Sequence, residues 1–304
     1  MEFYANLHTH STHSDGKYSP EELVKVAKDE GYKALAITDH DTATAYPFLK
    51  AECEKQGLDC IFGVEFTATS DLLGGGSFHT VAFDFDPEYP EMKEYLRRLS
   101  VNETEQTKHC FDRAQSEGGL LDITWDEVLE YNGAITWLCN EHLFRAMKAK
   151  GLVTDLDYQP FFDAYFGDRR FEVEPPYKFL DIKELIDLVH RAGGILLIAH
   201  PHNRLHLIEE LVKLGADGLE VWHPELDEEE RAKAYKIALD NDLFVSGGCD
   251  HSGLCGGLYA SFEKPEECPF YIPDMSTGNT EMHFRELKER KINKEERAKI
   301  IAAL

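Results

Sequence analysis

Apolar positions along the chain alternate between two spacings. Leu23, Val24, Val26 and Ala27 recur at helical spacing behind Ser19-Pro20-Glu21-Glu22. Ser19 suits the N-cap, Pro20 the first turn, and Glu22 the far corner of a capping box, while Gly31 stops the helix. Residues 34–37 (Ala-Leu-Ala-Ile) then read as a fully buried strand that runs into Thr38-Asp39-His40. The alternation repeats. A helix over 43–56 precedes a strand over 60–65, and a further strand covers 78–85 with His79, Val81, Phe83 and Phe85 on one face. Asp181 caps a helix that ends at Gly193-Gly194, and residues 195–199 lead to His200. Helices over 207–214 and 228–241 precede strands 218–222 and 243–246, which lead to His223 and to Cys249-Asp250-His251. With the strand before His8, that makes seven. Strands separated by helices predict an α/β fold with a parallel sheet, closed or nearly closed as a TIM-like barrel.

Residues 87–175 break this rhythm. Pro87 and Pro90 punctuate, helical patterns follow at 91–99, 103–117, 140–149 and 161–166, and Pro175-Pro176 ends the segment. The expected organisation is a barrel from 1–86 and 176–264, a helical insertion over 87–175, and a tail over 265–304. The tail reads as a loop, then a charged helix packed on the outside of the barrel.

Composition narrows the function. The 304 residues are 42% hydrophobic, enough for a substantial core. Lys+Arg 32 against Asp+Glu 57 leaves a net charge of -25. Such a surface repels long polyanions, so a platform for long duplex nucleic acid is not expected, whereas a small phosphorylated ligand in a cation-lined pocket is. Seven scattered cysteines with no CxxC pair argue against a disulfide framework and against a zinc ribbon. No apolar run is long enough for a membrane span, and the N-terminus lacks a signal peptide's pattern. The expectation is a cytoplasmic protein with no obligatory protein partner.

The chemistry lies at strand ends. His8 and His10 alternate in an extended stretch and so share a face. Asp15, Asp39, His40, Glu65, His79, His200, Asp250 and His251 join them from other strand ends. Mixed imidazole and carboxylate ligands suit Mn, Zn or Fe. The set is too large for one tetrahedral ion, so two or three divalent metal ions are expected, with Glu65, the only glutamate, as the bridge. Asp39 reads equally well as an orienter of His40 or as a structural cap.

His8-Thr9-His10, Ser14-Asp15-Gly16, Thr38-Asp39-His40, Gly63-Val64-Glu65, His200-Pro201 and Gly248-Cys249-Asp250 together resemble the successive motifs of the polymerase and histidinol phosphatase (PHP) family. The stretch between them is similar to the helical insertion of that family's nucleotide and RNA phosphoesterase branch. The resemblance implies a distorted (β/α)7 barrel. It also implies three ligand sets: His8, His10, Glu65 and Asp250; Glu65, His79 and His200; and Asp15, His40 and a histidine of the last motif.

Two departures stand out. The last motif reads Asp250-His251-Ser252, with the histidine one position early, so His251 would have to reach the third ion from a loop. The insertion carries Ser100-Val101-Asn102-Glu103-Thr104-Glu105 and Cys139-Asn140-Glu141-His142 where arginines are expected. Arg145, Arg169, Arg170 and Arg204 remain as candidate phosphate ligands, His202 as a residue lining the pocket, and His223 as a rim or substrate-facing residue. Bound cations lower the pKa of water and neutralise phosphoryl oxygens. The expected reaction is therefore metal-dependent hydrolysis of a small phosphate ester (a nucleotide, an oligonucleotide end, or a sugar or amino-alcohol phosphate), with Glu65, Asp15 and His200 beside the reacting atoms. A metal-dependent amidohydrolase and a non-catalytic metal-binding barrel are the alternatives.

Overall fold

The computed structural model describes residues 3–250 and 277–303. The chain runs β1 (Ala5–Asn6), α1 (Pro20–Asp29), β2 (Ala34–Leu35), α2 (Tyr46–Gln56), β3 (Asp59–Cys60), β4 (Gly63–Thr69) and β5 (Ser77–Phe83). Four helices follow: α3 (Pro90–Ser116), α4 (Trp125–Asn132), α5 (Asn140–Ala149) and α6 (Tyr158–Tyr165). Then come α7 (Ile182–Arg191), β6 (Ile195–Ile198), α8 (Ile208–Leu214), β7 (Gly218–Trp222), α9 (Glu228–Asp240), β8 (Phe244–Gly247), α10 (Glu281–Glu289) and α11 (Lys294–Ala303).

Local chemistry sets the helix starts. The Ser19 hydroxyl accepts from the Glu22 N–H, and the Glu22 carboxylate accepts from the Ser19 N–H. Removing such a cap costs about 1 kcal/mol. Asp181 and Asp227 cap α7 and α9 in the same way.

The strands form two sheets rather than one closed barrel. β1, β2 and β3 pair in parallel, and β4 to β8 form a second sheet in sequence order. β5 is antiparallel to both β4 and β6, because β4 turns back through Ser70–Gly76 instead of crossing over by a helix. The expected strand over 60–65 is broken at Ile61-Phe62 into β3 and β4, so among the described residues there are eight strands where seven were predicted. Among the described residues no ladder closes the ring. The seams are held by an isolated bridge between His40 and Glu65, and by bonds from Leu7 N–H to Gly247 O and from Asp250 N–H to His8 O.

Both faces of the strands are buried. Ala5, Leu7, Ala34, Ala36, Val81, Phe83, Ile195 and Leu197 fill one cluster between the sheets. The tail helix α10 does more than cover the exterior, since Phe284 and Leu287 enter that cluster. The opposite faces of β4 and β6 to β8 pack on α3, α7, α8 and α9 through residues such as Phe66, Leu185, Leu196 and Leu219. Residues 110–166 hold a cluster of their own, which includes Phe111, Phe144, Tyr158 and Phe161. The two helices expected over 91–99 and 103–117 are one continuous helix, α3. Ser100 and Asn102 stay helical and buried, and Asn102 exchanges two hydrogen bonds with the Tyr177 backbone.

Candidate metal centre

The strand ends converge on Glu65, which is fully buried in β4. Its Oε2 lies 3.2 Å from His8 Nε2, 3.3 Å from His10 Nε2 and 3.1 Å from His40 Nδ1. Its Oε1 lies 3.1 Å from His79 Nδ1 and 3.1 Å from His200 Nε2. Five imidazoles thus share one carboxylate. Burial alone would raise the Glu65 pKa, but the imidazoles of His8 and His79 hold it well below the usual carboxylate range.

Asp250 stands at the end of β8 with φ +50°, a left-handed conformation that aspartate tolerates better than most residues. Its Oδ1 lies 2.9 Å from His10 Nε2 and 3.4 Å from His8 Nε2. His8, His10, Glu65 and Asp250 therefore present ligand atoms to one point, and His40, Glu65 and His79 to a second. His10, Asp15 and His40 form a third group, with Asp15 Oδ1 3.3 Å from His10 Nδ1 and 4.0 Å from His40 Nε2. Burial, with His10 and His79 nearby, lowers the His40 pKa to about 4, which keeps that ring neutral and able to ligate.

Two atoms test whether this set fits cations. His8 Nε2 and Glu65 Oε2 are buried without a hydrogen bond, although they lie 3.2 Å apart. Orphaned buried polar atoms are costly unless something else satisfies them. A divalent cation coordinated by both would do so, and the nitrogen and oxygen donors suit zinc, manganese or iron.

Other sequence expectations fare differently. His251 lies outside the described residues. Asp39 does not bond His40. Its oxygens accept from Ser11 N–H (2.6 Å), Ser11 Oγ (2.7 Å) and Ser14 Oγ (2.7 Å), so it knots the loop that delivers Asp15. Arg145, expected to grip phosphate, is buried and donates to the Ser14 and Gly16 carbonyls, fixing that same loop from the insertion side. His202 is engaged by Glu230 at 2.7 Å on the surface. Arg204 is exposed ahead of α8. Arg170 lies in the short turn after α6, where its charge acts on Glu103. Burial pushes the Glu103 carboxyl up to about 7, against the pull of Arg170, and Asp15 and Asp41 add to the rise. Trp137 of the insertion stacks over His40 with ring centres 6.2 Å apart.

His223 is not at the rim. It is buried, with Nε2 3.3 Å from Asp250 Oδ2 and its ring centre 5.2 Å from that of His200. Sequence reasoning also passed over Glu220, which is fully buried in β7 beside His8. The available signal was a carboxylate in the middle of an otherwise apolar strand (Gly-Leu-Glu-Val-Trp), where an unpaired charge is rarely tolerated.

The PHP domain model matches residues 6–169, more than half of the chain, and the chain belongs to the PHP domain family. It is 26% identical over 267 residues to a phosphoribosyl 1,2-cyclic phosphate 1,2-diphosphodiesterase of Eggerthella lenta, covering 86% of this chain and 98% of the relative. It is 29% identical over 261 residues to a 5'-3' exoribonuclease of Haemophilus influenzae, covering 83% and 91%. A crystal structure from Bifidobacterium adolescentis, described as a metal-dependent phosphoesterase, superposes with a TM-score of 0.74 at 26% identity, covering 96% of this chain and 98% of that one. The chain is an enzyme of the metal-dependent phosphoesterase class. No described helix is long and apolar enough to cross a membrane.

Proposed function

We propose that the chain hydrolyses a small phosphate ester with two or three divalent cations. His8, His10, Glu65 and Asp250 would hold one, Glu65, His79 and His200 a second, and Asp15 with His40 a third. The observation that carries this reading is the buried, unsatisfied pair His8 Nε2 and Glu65 Oε2 at the meeting point of the ligand atoms. Bound cations supply an acidified water near neutral pH and neutralise charge on the phosphoryl oxygens.

The chain's own residues do the rest. Glu65 sets the spacing of the two sides by addressing three rings with one oxygen and two with the other. Asp15 and His200 sit half-buried beside it, where they can face substrate oxygens. Trp137 stacks over His40 at the edge of the cluster. A groove of about 640 Å³ opens next to the His40 segment, lined by Thr42, Thr44, Tyr46, Phe62 and Leu96, with Arg97 at its wall. The relatives named above act on a cyclic sugar phosphate and on RNA, which supports a phosphorylated substrate with a ribose. Amide hydrolysis is the weaker reading, because the relatives named above are a phosphodiesterase and an exoribonuclease.

The deciding experiment strips the protein of metal, reloads it with Mn²⁺ or Zn²⁺, and offers ribose cyclic phosphates, nucleoside bisphosphates, 5'-phosphorylated oligoribonucleotides and simple amides. Metal-dependent release of phosphate or nucleotide is the expected result. Turnover of amides alone, or of nothing on the panel, overturns the reading.

A further inference from the structure

The Glu220 carboxylate makes two hydrogen bonds, both to residues of the candidate centre, and lies within 4.8 Å of a ring nitrogen of His223. Its Oε1 lies 3.0 Å from His8 Nδ1, and its Oε2 accepts the His200 backbone N–H at 2.8 Å. His8 follows β1, His200 follows β6, and Glu220 reaches both from β7. Its strand neighbours Leu219 and Val221 point the other way, into the cluster under the helices. The Glu220 side chain is thus turned inward, where a carboxylate without partners would be strongly disfavoured.

We propose that Glu220 is a positioning residue that sets two metal-binding histidines at once, fixing the proton of His8 on Nδ1 and holding the turn that carries His200. The proposal rests on the reading of His8 and His200 as ligands. A neutral imidazole that donates from Nδ1 keeps its lone pair on Nε2, and Nε2 is the buried atom that makes no hydrogen bond and faces Glu65 and Asp250. A carboxylate behind a ligating histidine fixes the tautomer and raises the basicity of the ligand nitrogen. The second contact addresses strain. His200 has φ +24°, which a non-glycine residue adopts only when its surroundings impose it. The Glu220 oxygen holds the N–H of that residue, and the His202 N–H closes the turn onto the His200 carbonyl at 2.7 Å.

The side chain has to be a carboxylate. It offers an acceptor to each of two donors. A glutamine of the same shape would turn its NH2 toward either the His8 ring N–H or the His200 N–H, and one contact would become donor against donor.

The test uses the full chain, stripped of metal and titrated with Zn²⁺ against a chromophoric chelator. Glu220→Gln is expected to weaken Zn²⁺ binding by roughly 10- to 100-fold, the usual effect of losing such a partner. The metal-free protein should lose a few degrees of melting temperature, the cost of one buried contact turned donor against donor, and excess Zn²⁺ should restore part of kcat. Unchanged Zn²⁺ affinity in a folded variant overturns the proposal, as does a loss confined to thermal stability. Nitrogen NMR of the Zn²⁺-loaded wild type gives a readout that does not depend on a variant folding. His8 should carry its proton on Nδ1, and a proton on Nε2 overturns the proposal. If the wild type binds no Zn²⁺, the reading of the centre itself falls. If it binds Zn²⁺ and only the Glu220 results fail, the centre stands and the role given to Glu220 does not.

Discussion

His8 Nε2 and Glu65 Oε2 face each other across 3.2 Å in full burial, and neither makes a hydrogen bond. Each is the unsatisfied end of a side chain whose other end is engaged. His8 Nδ1 rests against Glu220, and Glu65 Oε1 meets His79 and His200. Removing the carboxylate should therefore disable the cluster rather than one ligand. Glu65→Gln is expected to lower kcat on the order of 10²–10³-fold at saturating metal, the scale of losing one preorganised electrostatic contact. Steady-state kinetics on a phosphodiester, with metal content measured in parallel, checks this.

Metal should also stabilise the fold. A ligand present at 100 times its Kd adds about 2.7 kcal/mol to the native state. For a chain of 304 residues that corresponds to roughly 4 °C in Tm for each such ion. Thermal melts with Mn²⁺ or Zn²⁺ and with excess chelator give the comparison. Equal melting temperatures in both would count against a centre shared between strands.

Arg145 separates a structural from a substrate-binding reading. It donates to the Ser14 and Gly16 carbonyls from α5 and is buried there. Arg145→Met should cost roughly 3–6 kcal/mol, the combined scale of two charge-assisted hydrogen bonds lost from a buried site. Urea unfolding measures the loss. KM for a phosphate ester should stay within a few-fold in whatever fraction remains folded. A KM increase of two orders of magnitude without loss of stability would restore the phosphate-gripping role first expected for it.

Gly248 approaches His8 closely. A Cβ there would meet the His8 nitrogen at 2.3 Å and the His8 Cβ at 2.4 Å. Gly248→Ala should push His8 away from Glu65, weaken metal binding, and destabilise by about 1–3 kcal/mol as an overpacking change. Chelator competition and thermal melts would show both effects in the same variant.

Acid stability should depend on the tail. Glu286 of α10 is buried against His283 and Arg297, and it accepts the Asn293 N–H. Burial would raise its pKa, but the hydrogen bonds from His283 and Arg297 outweigh that and hold it at about 2, below its ordinary 4.5. A depressed carboxylate stabilises the fold fully above its unfolded pKa. That contribution, roughly 2–3 kcal/mol, fades as pH falls from about 4.5 toward 2. Glu286→Gln should therefore lose stability at neutral pH and show a flatter pH dependence in that window. Denaturant unfolding from pH 7 to pH 2.5 measures it.

Much of this was readable from the chain. The Ser19 box and the strand ends carrying His40, His200 and Asp250 follow from spacing that local physics enforces, whereas the ligand sets around Glu65 are implied by the family resemblance. What could not be read depends on distant partners. Nothing between Ile61 and Phe62 announces that a strand stops and another starts, because both residues are apolar and buried. The continuity of α3 through Ser100 and Asn102 depends on Tyr177, which is 75 residues beyond Asn102. His223 looked like a rim residue because the bend that turns it inward follows the irregular pairing of β7 with β8. Glu220 was hidden by its surroundings, since an apolar strand reads as core whichever way one polar member points.

The open seam between the two sheets gives the cluster a further consequence. His8, His10 and His40 come from the three-stranded side, whereas Glu65, His79, His200 and Asp250 come from the five-stranded side. Cations gripped by both would act as rivets where backbone pairing stops, so that loading the centre and completing the wall around it become one event.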